Sequence, residues 1–284
     1  VEFSQVFWLI AVSFGASALG GILGMASGIF IVPILTIFGK IDMHTAIGAS
    51  VVSVIACSCA GASSYLRAKL TNFRLAMVLE ISTTLGALTG VFLIGIIPVQ
   101  YLYILFSVIL FVSAQQMFLK RKESLPVEAA SDSWGSKLKL HGQYPDHKNG
   151  EVKYFVHNVP LGMSLMYLAG LISALLGIGS GVLKIPAMDS ALKLPIKVSS
   201  ATSNFMIGVT AAASAGAYFI RGEISSAVTG PVVIGSVLGA LLGAKVLISI
   251  PSEKIRIFFV IILVILGIQM LIHSFGINLM EIKL

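Results

Sequence analysis

Charge is scarce in this chain: 11% of its 284 residues are Asp, Glu, Lys or Arg, where soluble domains carry about a quarter. That shortage excludes an ordinary water-soluble domain and a disordered chain alike. Cysteine is scarce too. Cys57 and Cys59 stand two apart on one predicted helix, so they point different ways and cannot pair. They read as core thiols. No ten-residue stretches of alternating polarity occur, which argues against a membrane barrel. The GxxxxGK[ST] pattern is missing, which argues against ATP drive within this chain. The net charge of +7 is no nucleic-acid signal, because the basic residues lie in short loops between apolar runs.

Long apolar runs are what the chain does have. Apolar residues make up 57% of it. Phe7–Leu23, Leu75–Val99, Leu102–Leu119 and Ile255–Ile272 each run near the ~20 residues that cross a hydrocarbon core. This predicts an all-α, polytopic protein of the cell membrane, with the lipid bilayer as its solvent. Ala16-Ser17-Ala18 has the look of a leader cleavage site, but the repeat described next argues for a retained first helix.

The sequence is written twice at an offset of 153. Gly24, Ser27, Gly28 and Pro33 recur as Gly177, Ser180, Gly181 and Pro186. Ser50 recurs as Ser203, Tyr65 as Tyr218, Gly86 as Gly239, and Pro98 as Pro251. Between residues 24 and 119 the register needs no gap and gives 23 identities over 96 positions. Each half predicts a full helix (4–24, 157–177), a glycine break, a short segment (28–39, 181–192) and three long helices. The long helices are expected at 45–66, 73–96 and 100–119, then at 198–220, 226–249 and 252–274. The short segments span ~17 Å if helical, about half a bilayer. The domains are therefore a first repeat (1–119), a polar cytoplasmic loop (120–156) read as solvent-exposed coil, and a second repeat (157–284). His141 and His147 in that loop have no accompanying cysteine and are read as solvated rather than as a metal site.

The 19 Lys and Arg help to orient the halves. If the short segments cross the membrane, the second half is inverted; 15 basic residues then lie inside, with Lys40, Arg221 and Lys283 outside and Lys184 within the membrane. A parallel arrangement gives 12 inside and 6 outside. The positive-inside bias favours inversion.

Inverted repeats with broken helices are a recurring plan of secondary transporters, which bind substrate near the midplane at exposed helix ends. In GIGSGVLKIP, Gly177, Gly179 and Gly181 let the backbone unwind. The start of the short helix offers free amides and a positive dipole end. Ser180 adds a hydroxyl and Lys184, one turn on, a full charge. All favour a small anion. The first-half break supplies Gly24, Ser27 and Gly28, with Ile31 where the second half has Lys184. Ser203 and Asn204, opening the next helix, are candidate contacts to the anion's oxygens. The first-half stripe of Ser50, Ser53, Cys57, Gly61 and Ser64 reads mostly as packing. Glu80 and Asp189 are candidate proton-coupling groups, as acids in apolar surroundings. The competing readings are close packing for the glycines, snorkelling or an acid partner for Lys184, Lys184 or Lys193 as the partner of Asp189, and Arg74 or a nearby hydroxyl for Glu80. A Ser180–Lys184 pair also permits an intramembrane hydrolase. No cofactor is expected, and a homo-oligomer is compatible with the pattern.

GMASGIFIVPIL and GIGSGVLKIPAM, with SSATSNFMIGVTA, resemble the duplicated glycine-rich signature of the TauE/SafE sulfite-exporter family. The resemblance covers nearly the whole chain except the central loop. It implies an integral-membrane permease for small anionic sulfur compounds such as sulfite, sulfoacetate or other organosulfonates. Export is the usual assignment, with import of the same anions as the alternative. Met25-Ala26-Ser27 departs from the glycine-rich residues that the family tends to have there.

Overall fold

The computed structural model describes residues 3–23, 27–67, 69–118, 133–146, 150–246 and 252–275. The chain folds mainly as helices: α1 (Phe3–Leu23), α2 (Gly28–Ile37), α3 (Met43–Arg67), α4 (Phe73–Leu93) and α5 (Val99–Phe118). A short α6 (Ser133–Lys137) and the strands β1 (Gly142–Asp146) and β2 (Gly150–Tyr154) follow. The chain continues with α7 (Val159–Leu176), α8 (Gly181–Ser190), α9 (Ile196–Ile220), α10 (Ser226–Val246) and α11 (Ser252–Ser274). The predicted helices match these to within a few residues. Among the described residues, five helices are long and apolar enough to cross a membrane, within α3, α4, α5, α7 and α9. Many large apolar side chains on the helices face outward, including Phe7, Ile81, Phe92, Ile234 and Ile265. A protein in water would bury them; a lipid-facing surface has no need to.

The packing crosses between the two parts of the chain. α1 packs on α10 and α4 on α7; α3 packs on α9 and α5 on α11. Glycine makes the first two contacts close. A methyl group on Gly86 of α4 would overlap the Tyr167 carbonyl and approach the Leu171 amide of α7. A methyl group on Gly239 of α10 would overlap the Phe14 carbonyl and approach the Ala18 amide of α1. Each of these residues stands 153 positions from its counterpart. Small residues let membrane helices approach to backbone contact, which replaces the missing hydrophobic drive.

The polar region before α7 differs from the coil expected there. β1 and β2 form an antiparallel hairpin with Gln143 opposite Lys153 and Tyr144 opposite Val152. The reason is visible in its burial pattern: Tyr154 and Val156 alternate inward and pack with Leu140, Leu192, Leu194 and Val198. Asn72, which caps α4 through Leu75 N, donates its side-chain amide to the Leu140 carbonyl (2.8 Å) and the Tyr154 hydroxyl (2.9 Å). Burial raises the Tyr154 phenol above its ordinary pKa, and the Asn72 bond partly offsets this. His141 is bonded into the same region, its Nδ1 accepting from Val156 N at 3.1 Å.

Candidate functional site

The second break is built from backbone that only a few residues tolerate. Gly177 (φ +64°), Gly179 (φ +75°) and Ser180 (φ +42°) are all left-handed. For the glycines this costs little; for Ser180 it costs about 1–3 kcal/mol, a strain typical of functional segments. The turn ends α7 and starts α8 at a new angle. The Ser180 carbonyl accepts from Leu183 N (3.0 Å) and Lys184 N (2.8 Å), which closes the first turn of α8.

The two breaks touch. A methyl group on Gly28 would overlap the Gly177 carbonyl and fall 2.7 Å from Ser50 Oγ. Ser50 Oγ in turn donates to the Gly177 carbonyl at 2.7 Å. Gly28, Ser27, Ser180 and Gly181 are all buried. Ser50, expected mainly to pack, thus ties α3 to the second break. In the same stripe Ser53 Oγ meets Ser236 Oγ of α10 at 2.6 Å and Gly61 faces the Asn204 amide of α9, while the neighbouring Ser58 donates to the Asn204 carbonyl.

Lys184 is 0% exposed and points into the bundle rather than toward a membrane surface. Its Nζ donates to Thr210 Oγ1 of α9 at 2.6 Å and lies 3.4 Å from Glu80 Oε2 of α4. Thr210 Oγ1 is 2.7 Å from Glu80 Oε1, and Thr84 Oγ1 lies 3.3 Å from the same oxygen. Glu80 is 8% exposed. A lone charge in this setting would cost several kcal/mol, so the pair has to be mutual. Lys184 does meet an acid, but that acid is Glu80 of α4, not Asp189. Glu80 meets the hydroxyls of Thr210 and Thr84, as one of its two expected pairings required, with Lys184 as its basic partner. Asp189, five residues beyond Lys184 on the half-buried end of α8, projects about 140° around the helix axis from it.

Thr210 was missed in the sequence. A signal was there: Ser199, Ser203, Thr210 and Ser214 stand at spacings of four, seven and four on α9, and all are buried. The Ser180–Lys184 pairing needed for a hydrolase is not formed. The Lys184 ammonium is bonded elsewhere and the Ser180 hydroxyl has no hydrogen-bond partner.

Several hydroxyls around the breaks are buried without an oxygen or nitrogen partner: Ser17, Ser27, Ser180, Ser199 and Ser203. Buried polar groups normally find one. Ser17 and Ser27 sit beside the Cys57 thiol, a weak hydrogen-bonding group. Ser27, Ser180 and Ser203 were three of the predicted contacts. Asn204 is half-buried, with its amide over Gly61 of α3. Gly24 lies outside the described residues. Two clefts of about 480 Å³ open on the surface, one along α4 and α7 and one near Trp8 and Phe38. Neither is lined by break residues or by Lys184. Among the described residues no cluster of three or more His, Cys, Asp or Glu is placed to hold a metal ion.

The family model for the sulfite exporter TauE/SafE matches residues 9–270, across both breaks and the ion pair. This chain belongs to that family. It is similar to the "Probable membrane transporter protein YunE" of Bacillus subtilis (strain 168), with 23% identity over 93% of this chain and 96% of that protein. It is also similar to the "Probable membrane transporter protein YdhB" of the same organism, with 24% identity over 87% of this chain and 93% of that protein. No solved structure matches the chain. As a TauE/SafE member the protein is a membrane transporter and not an enzyme.

Proposed function

We propose that this TauE/SafE protein is a secondary transporter that carries a small sulfur-containing anion, sulfite or an organosulfonate, out of the cytoplasm. The observation that carries this reading is the fully buried Lys184 beside two touching helix breaks rimmed by unpartnered hydroxyls. A buried ammonium, backbone amides at a helix start and spare hydroxyls together suit a compact oxyanion. Ser27, Gly28, Gly177, Gly179, Ser180, Gly181 and Ser203 form the neutral part of the site. The buried state of these groups fits an occluded carrier, closed to both sides.

Two inverted repeats underlie this reading. The matched contacts of Gly86 on α7 and Gly239 on α10 support a two-fold relation between the halves. The basic residues of the loops support the inversion and a cytoplasmic position for the hairpin side. In such a plan alternating access comes from rocking one repeat against the other. A proton is coupled to transport through an intramembrane acid, Glu80 or Asp189, and the outward gradient of the anion supplies the drive.

A thermal-shift panel tests the substrate class. Sulfite or a simple alkanesulfonate is expected to raise the melting temperature in a saturable way, and choline is not. No shift with any of these anions, together with no anion flux in proteoliposomes, overturns the proposal.

A further inference from the structure

The carboxylate of Glu80 lies 3.4 Å from the Lys184 ammonium, where an incoming anion would pair with it, and it reaches there from a different helix. We infer that Glu80 is an internal stand-in for the substrate, so that each monovalent oxyanion binds together with one proton. The inference rests on the anion-transport reading and specifies how that site is regulated.

The geometry sets the charge balance. Thr210 Oγ1 touches both Lys184 Nζ (2.6 Å) and Glu80 Oε1 (2.7 Å), so one hydroxyl already spans the two charges. Charge in this buried setting is stable only when neutralised locally. With Glu80 ionised, the ammonium is satisfied and an incoming anion would leave the site with a net negative charge. With Glu80 protonated, the ammonium is unpaired and an anion restores neutrality. The exchange is balanced: the ammonium–carboxylate pair plus a proton plus the anion gives the carboxylic acid plus an ammonium–anion pair. Neither the empty nor the loaded site then carries net charge. A dianion would bring one negative charge too many, so the substrate class is a monoanion: a sulfonate, or hydrogen sulfite rather than sulfite dianion.

Among the described residues, Glu80 meets groups from three helices. From α8 it meets Lys184, from α9 Thr210, and from its own helix Thr84. α7 packs against α4 through Gly170 on Thr83 and the backbone of Tyr167 on Gly86. Thr210 is the relay hydroxyl: it donates to an ionised Glu80, and it has a lone pair for the ammonium or for a carboxylic acid proton.

Methanesulfonate is a suitable probe because it remains a monoanion throughout the working pH range. Added to the purified protein in weakly buffered solution, it is expected to draw about one proton from solvent per anion bound. Its affinity should fall about tenfold per pH unit wherever Glu80 is ionised in the free protein. Glu80→Gln should bind without proton uptake and without that slope. Binding by the wild-type protein with no proton uptake overturns the inference and leaves anion transport standing. Binding of no anion at all overturns both. If Glu80→Gln does not fold, the wild-type proton count decides alone.

Discussion

At the second helix break a lysine, a glutamate and a threonine meet; at the positions 153 residues away from Lys184, Glu80 and Thr210 stand Ile31, Val233 and Cys57. The two regions share their scaffold. Both have a serine and a glycine opening a ten-residue helix, and both rest on helices drawn close by glycine. They differ in chemistry. Apolar packing and a thiol fill one side, and a charged pair fills the other. The difference teaches that the duplicated scaffold stands without a duplicated charge. A second buried lysine would need a second acid, and two such sites would hold two anions close together in a medium that screens them poorly.

The comparison is broken most forcefully by adding charge to the apolar side. Ile31→Lys places an ammonium at a fully buried position. It should cost several kcal/mol and lower the yield of folded protein. Adding Val233→Glu should recover part of the loss. Size-exclusion profiles and melting temperatures of the two variants check this, and a melting temperature for Ile31→Lys equal to the wild type would contradict it.

Next in size is the shared scaffold. Gly86→Val and Gly239→Val each push a side chain into a carbonyl of the facing helix. Each should destabilise by about 1–3 kcal/mol or more, and to similar degrees, if the halves are structurally equivalent. A large loss for one and none for the other, seen in detergent melts, would separate the halves.

A smaller effect is expected at the polar relay. Thr210→Val removes a hydroxyl bonded to two charged groups and should cost about 1.5–3 kcal/mol. It should also weaken anion binding. Cys57→Ser, at the related position, should change stability by less and leave anion affinity as it is. The smallest effect belongs to the hairpin. Tyr154→Phe loses the bond from Asn72 and should cost about 1 kcal/mol. Because the Tyr154 pKa is raised in the folded protein, its contribution is intact below the ordinary tyrosine pKa. That contribution should decline as pH climbs above the unfolded value toward the folded one, and the decline should vanish in Tyr154→Phe.

Much of the fold was legible because membrane helices announce themselves by length and the repeat fixed their boundaries. Gly28 and Gly177 were legible as breaks because no other residue type serves so well where backbones meet or turn left-handed. The Lys184–Glu80 pairing was not read, although few charges lie within the apolar runs. Sequence spacing relates residues on one helix, and these two sit on helices 104 positions apart. Thr210 was invisible for another reason: a threonine in a membrane helix ordinarily bonds back to its own turn, as this one also does to Met206. The hairpin was hidden by its Pro and Gly content, which reads as coil until Tyr154 and Val156 are seen to face a surface. Asn204 was judged by its amide, whereas its place on the α3–α9 interface depends on Gly61 opposite.

The most direct test of the account is anion flux in proteoliposomes that hold wild-type protein or the variant Lys184→Met, Glu80→Gln. Removing both charges together leaves no unpaired ion, so the variant should fold. The account predicts sulfite or sulfonate flux for the wild type and none above the lipid background for the variant, with melting temperatures within a few degrees of each other. Equal flux from the two proteins would contradict it.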